Sequence, residues 1–144
     1  MLLHHFGTRD ALLRAVLGRA RLRQRALYGE LLSARPDESC TVTLQRAWTS
    51  MTGPDGQPYL RLFGPLREDA EQRLWPDFRK LADTDWLGPL EDSLRTIGRP
   101  RLATLVLAVI RGLLMDLDAT ADSARADRAF ADFVRTLEHD RLAP

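Results

Sequence analysis

Apolar residues recur along this chain at intervals of three and four positions, which is the spacing of one face of an α-helix. No run of four or more alternating residues with flanking turn signals indicates a strand. A first helix is predicted from about Arg9 to Leu32, because Thr8 is a good N-cap and Pro36 disfavours helical geometry just before it. Its apolar stripe consists of Leu13, Val16, Leu17, Ala20, Leu27 and Leu31. The pattern therefore predicts an all-α protein.

The middle of the chain contains many helix breakers. A second helix is predicted from about Cys40 to Met51, and the two prolines and two glycines of residues 53–58 predict a turn after it. Between Tyr59 and Gly98 we expect several short or kinked helices. The expected interruptions are Gly64-Pro65, Trp75-Pro76, Asp83-Thr84-Asp85 and Gly88-Pro89.

The last third of the chain predicts two antiparallel helices joined near Asp118–Asp122. The segment Leu102–Leu117 is apolar on two faces, and such a helix must be covered on both. The final helix, about Ser123 to His139, carries one apolar stripe of Ala126, Ala129, Phe130, Phe133, Val134 and Leu137.

Composition limits the class of protein. The 144 residues are 44% hydrophobic, which suffices for one domain with a core. The formal net charge of +1 excludes a uniformly basic, DNA-coating protein. Charge is nevertheless uneven: residues 1–35 contain seven arginines against Asp10 and Glu30, a charge of +5, which leaves −4 for the rest. A solvated helix face explains such a run as well as a partner does.

Residue patterns that carry catalysis are missing from the sequence. The single Cys40 has no nearby histidine to activate it, and adjacent His4 and His5 point about 100° apart on a helix, so they cannot chelate one metal. No glycine-rich phosphate loop occurs. We therefore expect no enzyme activity, no cofactor and no metal.

Two further sequence patterns bear on the cellular location of the protein. The longest apolar run, Leu105–Ile110, is far shorter than the ~20 residues of a membrane span. The first six residues do not form a signal peptide. A cytoplasmic location is the expectation.

The most specific motif lies in the first seventeen residues. The string from Leu2 to Leu17 resembles the end of the helix-turn-helix in tetracycline-repressor-type (TetR family) regulators, in which a Gly-Thr-Arg-Asp turn opens the helix that links the DNA-binding and ligand-binding domains. The matching residues are Leu2, His5, Phe6, Gly7, Thr8, Arg9, Asp10 and Leu12.

This resemblance implies a division of the chain. Residues 1–8 are the remnant of the DNA-binding helix-turn-helix, and residues 9–144 are the linking helix plus a ligand-binding and dimerisation domain. By resemblance, His5, Thr8 and Arg9 lie against the DNA backbone. The rest of the DNA-reading head would precede Met1, so the chain as written is not expected to bind an operator specifically.

The resemblance also implies a homodimer and a small-molecule effector. The last two helices would pair with their copies in a second subunit, with Gly112 permitting close helix approach. An uncharged or amphipathic effector would bind among the middle helices. The expected interface residues are Leu105, Val109, Gly112, Leu113, Phe130, Phe133 and Val134. The pocket candidates, for each of which core packing is an equal alternative, are Trp48, Met51, Tyr59, Phe63, Trp75, Phe78, Trp86 and Leu90.

The function implied is that of a ligand-responsive DNA-binding transcription regulator, with repression as the expected mode. Two alternatives stay open. One is a truncated helical interaction protein that forms a heterodimer with a full-length regulator and disables its DNA binding. The other is an all-α enzyme with a concealed site, for which the sequence offers no pair of catalytic acids or bases.

Overall fold

A computed structural model describes residues 7–33, 35–58 and 74–139, and all regular secondary structure in those ranges is helical. The predicted all-α class is therefore confirmed. Within these ranges the helices, numbered in chain order, are α1 (Arg9–Leu32), α2 (Cys40–Thr52), α3 (Phe78–Arg95), α4 (Ala103–Thr120) and α5 (Ser123–His139), and a 3-10 turn (Pro100–Leu102) precedes α4.

The ends of the first two helices follow from local chemistry. Thr8 Oγ1 accepts a hydrogen bond from the Ala11 amide at 3.1 Å, and α1 has the predicted bounds. Ser39 caps α2 in the same way. After α2 the chain leaves helical geometry at Gly53, which confirms the predicted turn.

Helix α3 differs from the prediction. The expected breaks at 83–85 and 88–89 are wrong, because α3 continues through both, with Pro89 inside it. An internal proline costs about 3 kcal/mol. Leu90 and Leu94 on the same helix are fully buried, and burying each leucine stabilises by about 1.5–3 kcal/mol. Burial therefore offsets the proline. The expected break at 64–65 lies outside the described residues, and the break at 75–76 precedes α3.

The core lies where α2, α3, α4 and α5 meet. Trp48 of α2 stacks on Phe130 of α5 with ring centroids 4.6 Å apart. The indole Nε1 of Trp48 donates to Asp127 Oδ1 at 2.7 Å, so a large buried ring keeps its polar atom satisfied. The other fully buried large side chains include Leu32, Leu44, Met51, Leu90, Leu94, Val106 and Ile110.

Helices α4 and α5 form the predicted antiparallel hairpin. Ala121 takes a left-handed conformation with φ 55° at the turn, and Asp122 Oδ1 accepts from the Arg125 amide at 3.0 Å, which caps α5. Arg125 also bonds both carboxylate oxygens of Asp116 at 2.6 Å across the turn. None of the described helices is long and apolar enough to cross a membrane.

Candidate functional site

Helix α4 buries one apolar face in this chain and leaves the other uncovered. The buried face holds Val106, Leu107, Ile110 and Leu114. On the opposite side Leu105 is 50% exposed and Met115 is 62% exposed. Five exposed, uncharged residues follow one another at spacings of three, four, three and four positions, and we call them the α4 seam: Leu105, Ala108, Gly112, Met115 and Ala119. This is the spacing of a helix that packs along another helix.

A groove opens at one end of the hairpin, where the start of α4 lies beside the end of α5. Its volume is about 630 Å³. Four of its lining residues are apolar and four are polar, and we call it the end groove: Arg99, Leu102, Leu105, Asp132, Phe133, Arg135, Thr136 and Leu137. Two arginines against one aspartate give this lining a charge of +1. Leu105 belongs to both the end groove and the α4 seam.

Helix α1 is held against α3 by an ion pair and by aromatic contacts. Arg21 Nε donates a hydrogen bond to Asp85 Oδ2 at 2.8 Å, Arg21 Nη2 lies 2.7 Å from the same oxygen, and both side chains are largely shielded from water. The Arg21 guanidinium also lies 5.7 Å from the centre of the Trp75 ring. Further along, the rings of Tyr28 and Trp86 have centroids 4.5 Å apart.

The chain was compared with protein-family models, with curated proteins and with solved structures. None of them matches it. A functional interpretation therefore depends on the residues and contacts of this chain itself.

The expected dimer residues fall into two groups. Leu105 and Gly112 are exposed, and Val109, Leu113 and Phe133 are half-buried on the same hairpin. Phe130 and Val134 are covered by this chain's own core, with Phe130 0% exposed. The first group is accessible to a second molecule, whereas Phe130 and Val134 support the hairpin from inside.

The structure does not bring the expected pocket residues together around one cavity in the part of the chain that it describes. Trp48, Met51 and Leu90 are buried in the packed core, and Trp75 and Trp86 are half-buried beside α1. Tyr59 and Phe63 lie outside the described residues, as does the side chain of Phe78. The pocket of middle-helix residues stays a prediction.

The expected DNA-contacting residues lie at the start of α1. Thr8 is its N-cap and Arg9 is its first residue, and both are exposed. His5 lies outside the described residues. The exposed start of α1 is a helix N-terminus, and the backbone amides of such an end favour an anion such as a phosphate.

No group of three or more His, Cys, Asp or Glu residues within the described ranges could hold a metal ion. Cys40 is buried, with its Sγ 3.7 Å from Ser93 Oγ.

Sequence reasoning missed three of the seam residues and most of the end groove. Ala108 and Ala119 carry no hydrophobic signal of their own, and the sequence does not separate the exposed Met115 from its buried neighbour Leu114. The hairpin itself contains a signal for the groove, because antiparallel pairing about residue 121 places 105–110 level with 132–137, and Leu105 and Leu137 both line the groove. The Arg21–Asp85 pair is 64 positions apart and has no local signal.

Proposed function

We propose that this chain is the effector-binding and dimerisation part of a ligand-responsive, DNA-binding transcription regulator of the tetracycline-repressor type. In this proposal it acts as a cytoplasmic homodimer. A small molecule that binds the helical body moves α1, and α1 sets the position of the DNA-reading head. Ligand and DNA affinities are then linked reciprocally.

The geometry of α1 is the observation that carries the proposal. Its 24 residues span about 36 Å at 1.5 Å per residue. The first buried residue along it is Leu17, and most of the residues before Leu17 are exposed, while Tyr28 and Leu32 anchor the other end in the core. Thr8 caps the start of α1 directly after the string that resembles a helix-turn-helix terminus. A helix so placed can transmit movement of the body to whatever precedes it.

The contacts between α1 and α3 supply a route for that movement. Asp85 of α3 accepts a hydrogen bond from Arg21 Nε, lies 2.7 Å from Arg21 Nη2, and lies 3.5 Å from Nε of the more exposed Arg25 one turn later. A shift of α3 along its axis must carry Arg21 with it or break this charged hydrogen bond, which is worth about 1.5–3 kcal/mol. The cost of separating the two helices favours a joint movement.

The chemistry beside this contact indicates the class of effector. Trp75 and Trp86 are half-buried on the α3 side, and the facing side chains of α1 include Tyr28 and Leu27. Apart from the ion pairs of Asp85 with Arg21 and Arg25, the side chains named here are aromatic and aliphatic, and such side chains bind uncharged or amphipathic molecules. We therefore assign an effector of that class to the region between α1 and α3.

A thermal-shift screen tests the proposal. Hydrophobic and amphipathic compounds should raise the Tm of the full chain, because a ligand of the native state stabilises it by mass action. Amide hydrogen exchange of α1 should change with the same compounds. In the Asp85→Asn variant a hit should still raise the Tm but should alter α1 exchange less. A flat response across a broad library contradicts the proposal.

A further inference from the structure

We propose that a second copy of this chain docks antiparallel on the α4 seam and seats its α4–α5 turn in the end groove. This inference rests on the homodimer of the proposed function, and it adds the orientation of the two copies and the occupant of the groove. The central contact pairs Asp122 of one copy with Arg135 of the other.

The α4 seam is complementary to itself in the antiparallel direction. If Gly112 packs against its own copy, positions equally distant from it meet, so that Leu105 packs on Ala119 over a helix length of about 21 Å. Met115, three positions after Gly112, lies within one position of the level of Ala108 in the copy, which is four positions before it. Each large side chain thus meets a small one, as close packing of two helices requires.

Helix α5 has a small residue, Ala129, at the same height along the hairpin as Gly112 of α4. The hairpin turns at Ala121, so Gly112 and Ala129 lie nearly equal numbers of residues before and after the turn. Both helices of the hairpin therefore offer a small side chain at one height. A two-fold axis through that height, perpendicular to the helices, brings four helices together with the least crowding at the centre.

That axis also places the turn of one copy over the groove of the other. Position 122 lies seven residues before Ala129, and position 136 lies seven residues after it. Asp122 of one copy consequently faces the neighbourhood of Arg135 and Thr136 in the other. The exposed Arg135 side chain is held beside Asp132 by an ion pair on its own helix, so it is positioned at the rim of the groove.

The charges favour the antiparallel orientation of the two copies over the parallel one. The turn carries Asp116, Asp118 and Asp122 against Arg125, a charge of −2, whereas the groove lining carries +1. In the antiparallel dimer each turn meets a groove, and opposite charges are brought together twice by symmetry. With the copies parallel, two acidic turns would meet and repel. The groove, at about 630 Å³, has room for the few side chains of one turn.

Substitutions that preserve the fold test the contact. Asp122→Asn keeps an N-cap of equal quality and removes the charge, while Arg135→Glu changes an exposed helical side chain. Sedimentation over a concentration series gives the dimer Kd of each full-length variant. We expect Asp122→Asn to weaken the wild-type dimer about threefold and Arg135→Glu to weaken it about tenfold, because exposed ion pairs contribute little and each occurs twice.

The decisive result is a reversal of the effect of Asp122→Asn on the dimer Kd. In the Arg135→Glu background, Asp122→Asn should tighten the dimer, since it removes a repulsion where it previously removed an attraction. Asp55→Asn, a substitution of an exposed aspartate in the turn after α2, should change the Kd in neither background.

The other outcomes separate the claims. A dimer whose Kd responds to Asp122→Asn identically in both backgrounds overturns the docking orientation and leaves the homodimer standing. A chain that stays monomeric at micromolar concentration overturns both. A rise in Tm with decanoate that Arg135→Glu abolishes would assign the groove to a small carboxylate and overturn the second copy as its occupant.

Discussion

Replacing Gly112 by alanine should have opposite effects on the single chain and on the dimer. Gly112 lies inside α4, and a Cβ built on it meets nothing within 4 Å among the residues that the structure describes. Glycine in a helix interior is less favourable than alanine by about 0.5–1 kcal/mol. The isolated chain should therefore gain that amount of unfolding free energy.

The dimer should lose affinity from the same substitution. At the crossing point two new methyl groups, one from each copy, are forced into one contact, and overpacking of this kind costs about 1–3 kcal/mol. Since 1.4 kcal/mol corresponds to a factor of ten, the Kd should rise roughly fivefold to more than a hundredfold. The prediction is thus a more stable monomer that associates less tightly.

Two measurements on the same sample decide it. Urea unfolding at a concentration well below the dimer Kd gives the stability of the monomer, and sedimentation gives the Kd itself. Gly29→Ala is the matched control, because Gly29 is a helical glycine of α1 whose added Cβ also meets nothing within 4 Å in the described part of the chain. It should stabilise the chain without changing the Kd. A Gly112→Ala dimer as tight as the wild type would refute the crossing at Gly112.

Three further predictions concern contacts inside the chain. Asp85→Asn should lower the unfolding free energy by about 2 kcal/mol, because Arg21 loses a charged acceptor, and an unchanged urea midpoint would contradict this. Trp48→Phe should cost about 1 kcal/mol through the lost hydrogen bond to Asp127, against about 3–5 kcal/mol for Trp48→Ala, so equal losses for the two variants would disprove the role of stacking. A hydrogen bond from Arg46 lowers the pKa of Glu38 from 4.5, so its stabilisation is complete above that pH and is lost as pH falls through the lower folded-state value. Glu38→Gln should therefore flatten the acid side of a plot of stability against pH, and an unaltered acid limb would count against the pairing.

The helices were predictable wherever local signals agree with burial. The bounds of α1 follow from Thr8, which caps its start, and from Pro36, which disfavours helical geometry just before it. The position of α5 follows from its single apolar stripe. Caps and apolar stripes involve residues that are close together in the chain, so they can be recognised without knowing the tertiary structure.

The continuity of α3 was not predictable by the same means. Gly88 and Pro89 are helix breakers, so a prediction from local propensity alone ends the helix there. Leu90 and Leu94 override the proline only because α4 and the other helices cover them, and that coverage depends on tertiary packing.

The candidate site was predictable in part. The hairpin and Gly112 followed from the pattern, but Phe130 and Val134 were expected at the interface and are buried inside the chain. On one amphipathic stripe, periodicity cannot say which apolar residues face the chain's own core and which face a second molecule. Only the position of Trp48 against Phe130 assigns that side of α5 to the core.

The most direct test of the account is the distance between the two α1 helices in the dimer. Val16 is 50% exposed and Cys40 is buried, so Val16→Cys offers a single accessible thiol for a spin label. Double electron–electron resonance should give a defined distance between the labels of two copies, and a compound that raises the Tm should shift that distance. A dimer whose label-to-label distance stays the same with and without such a compound would contradict the account.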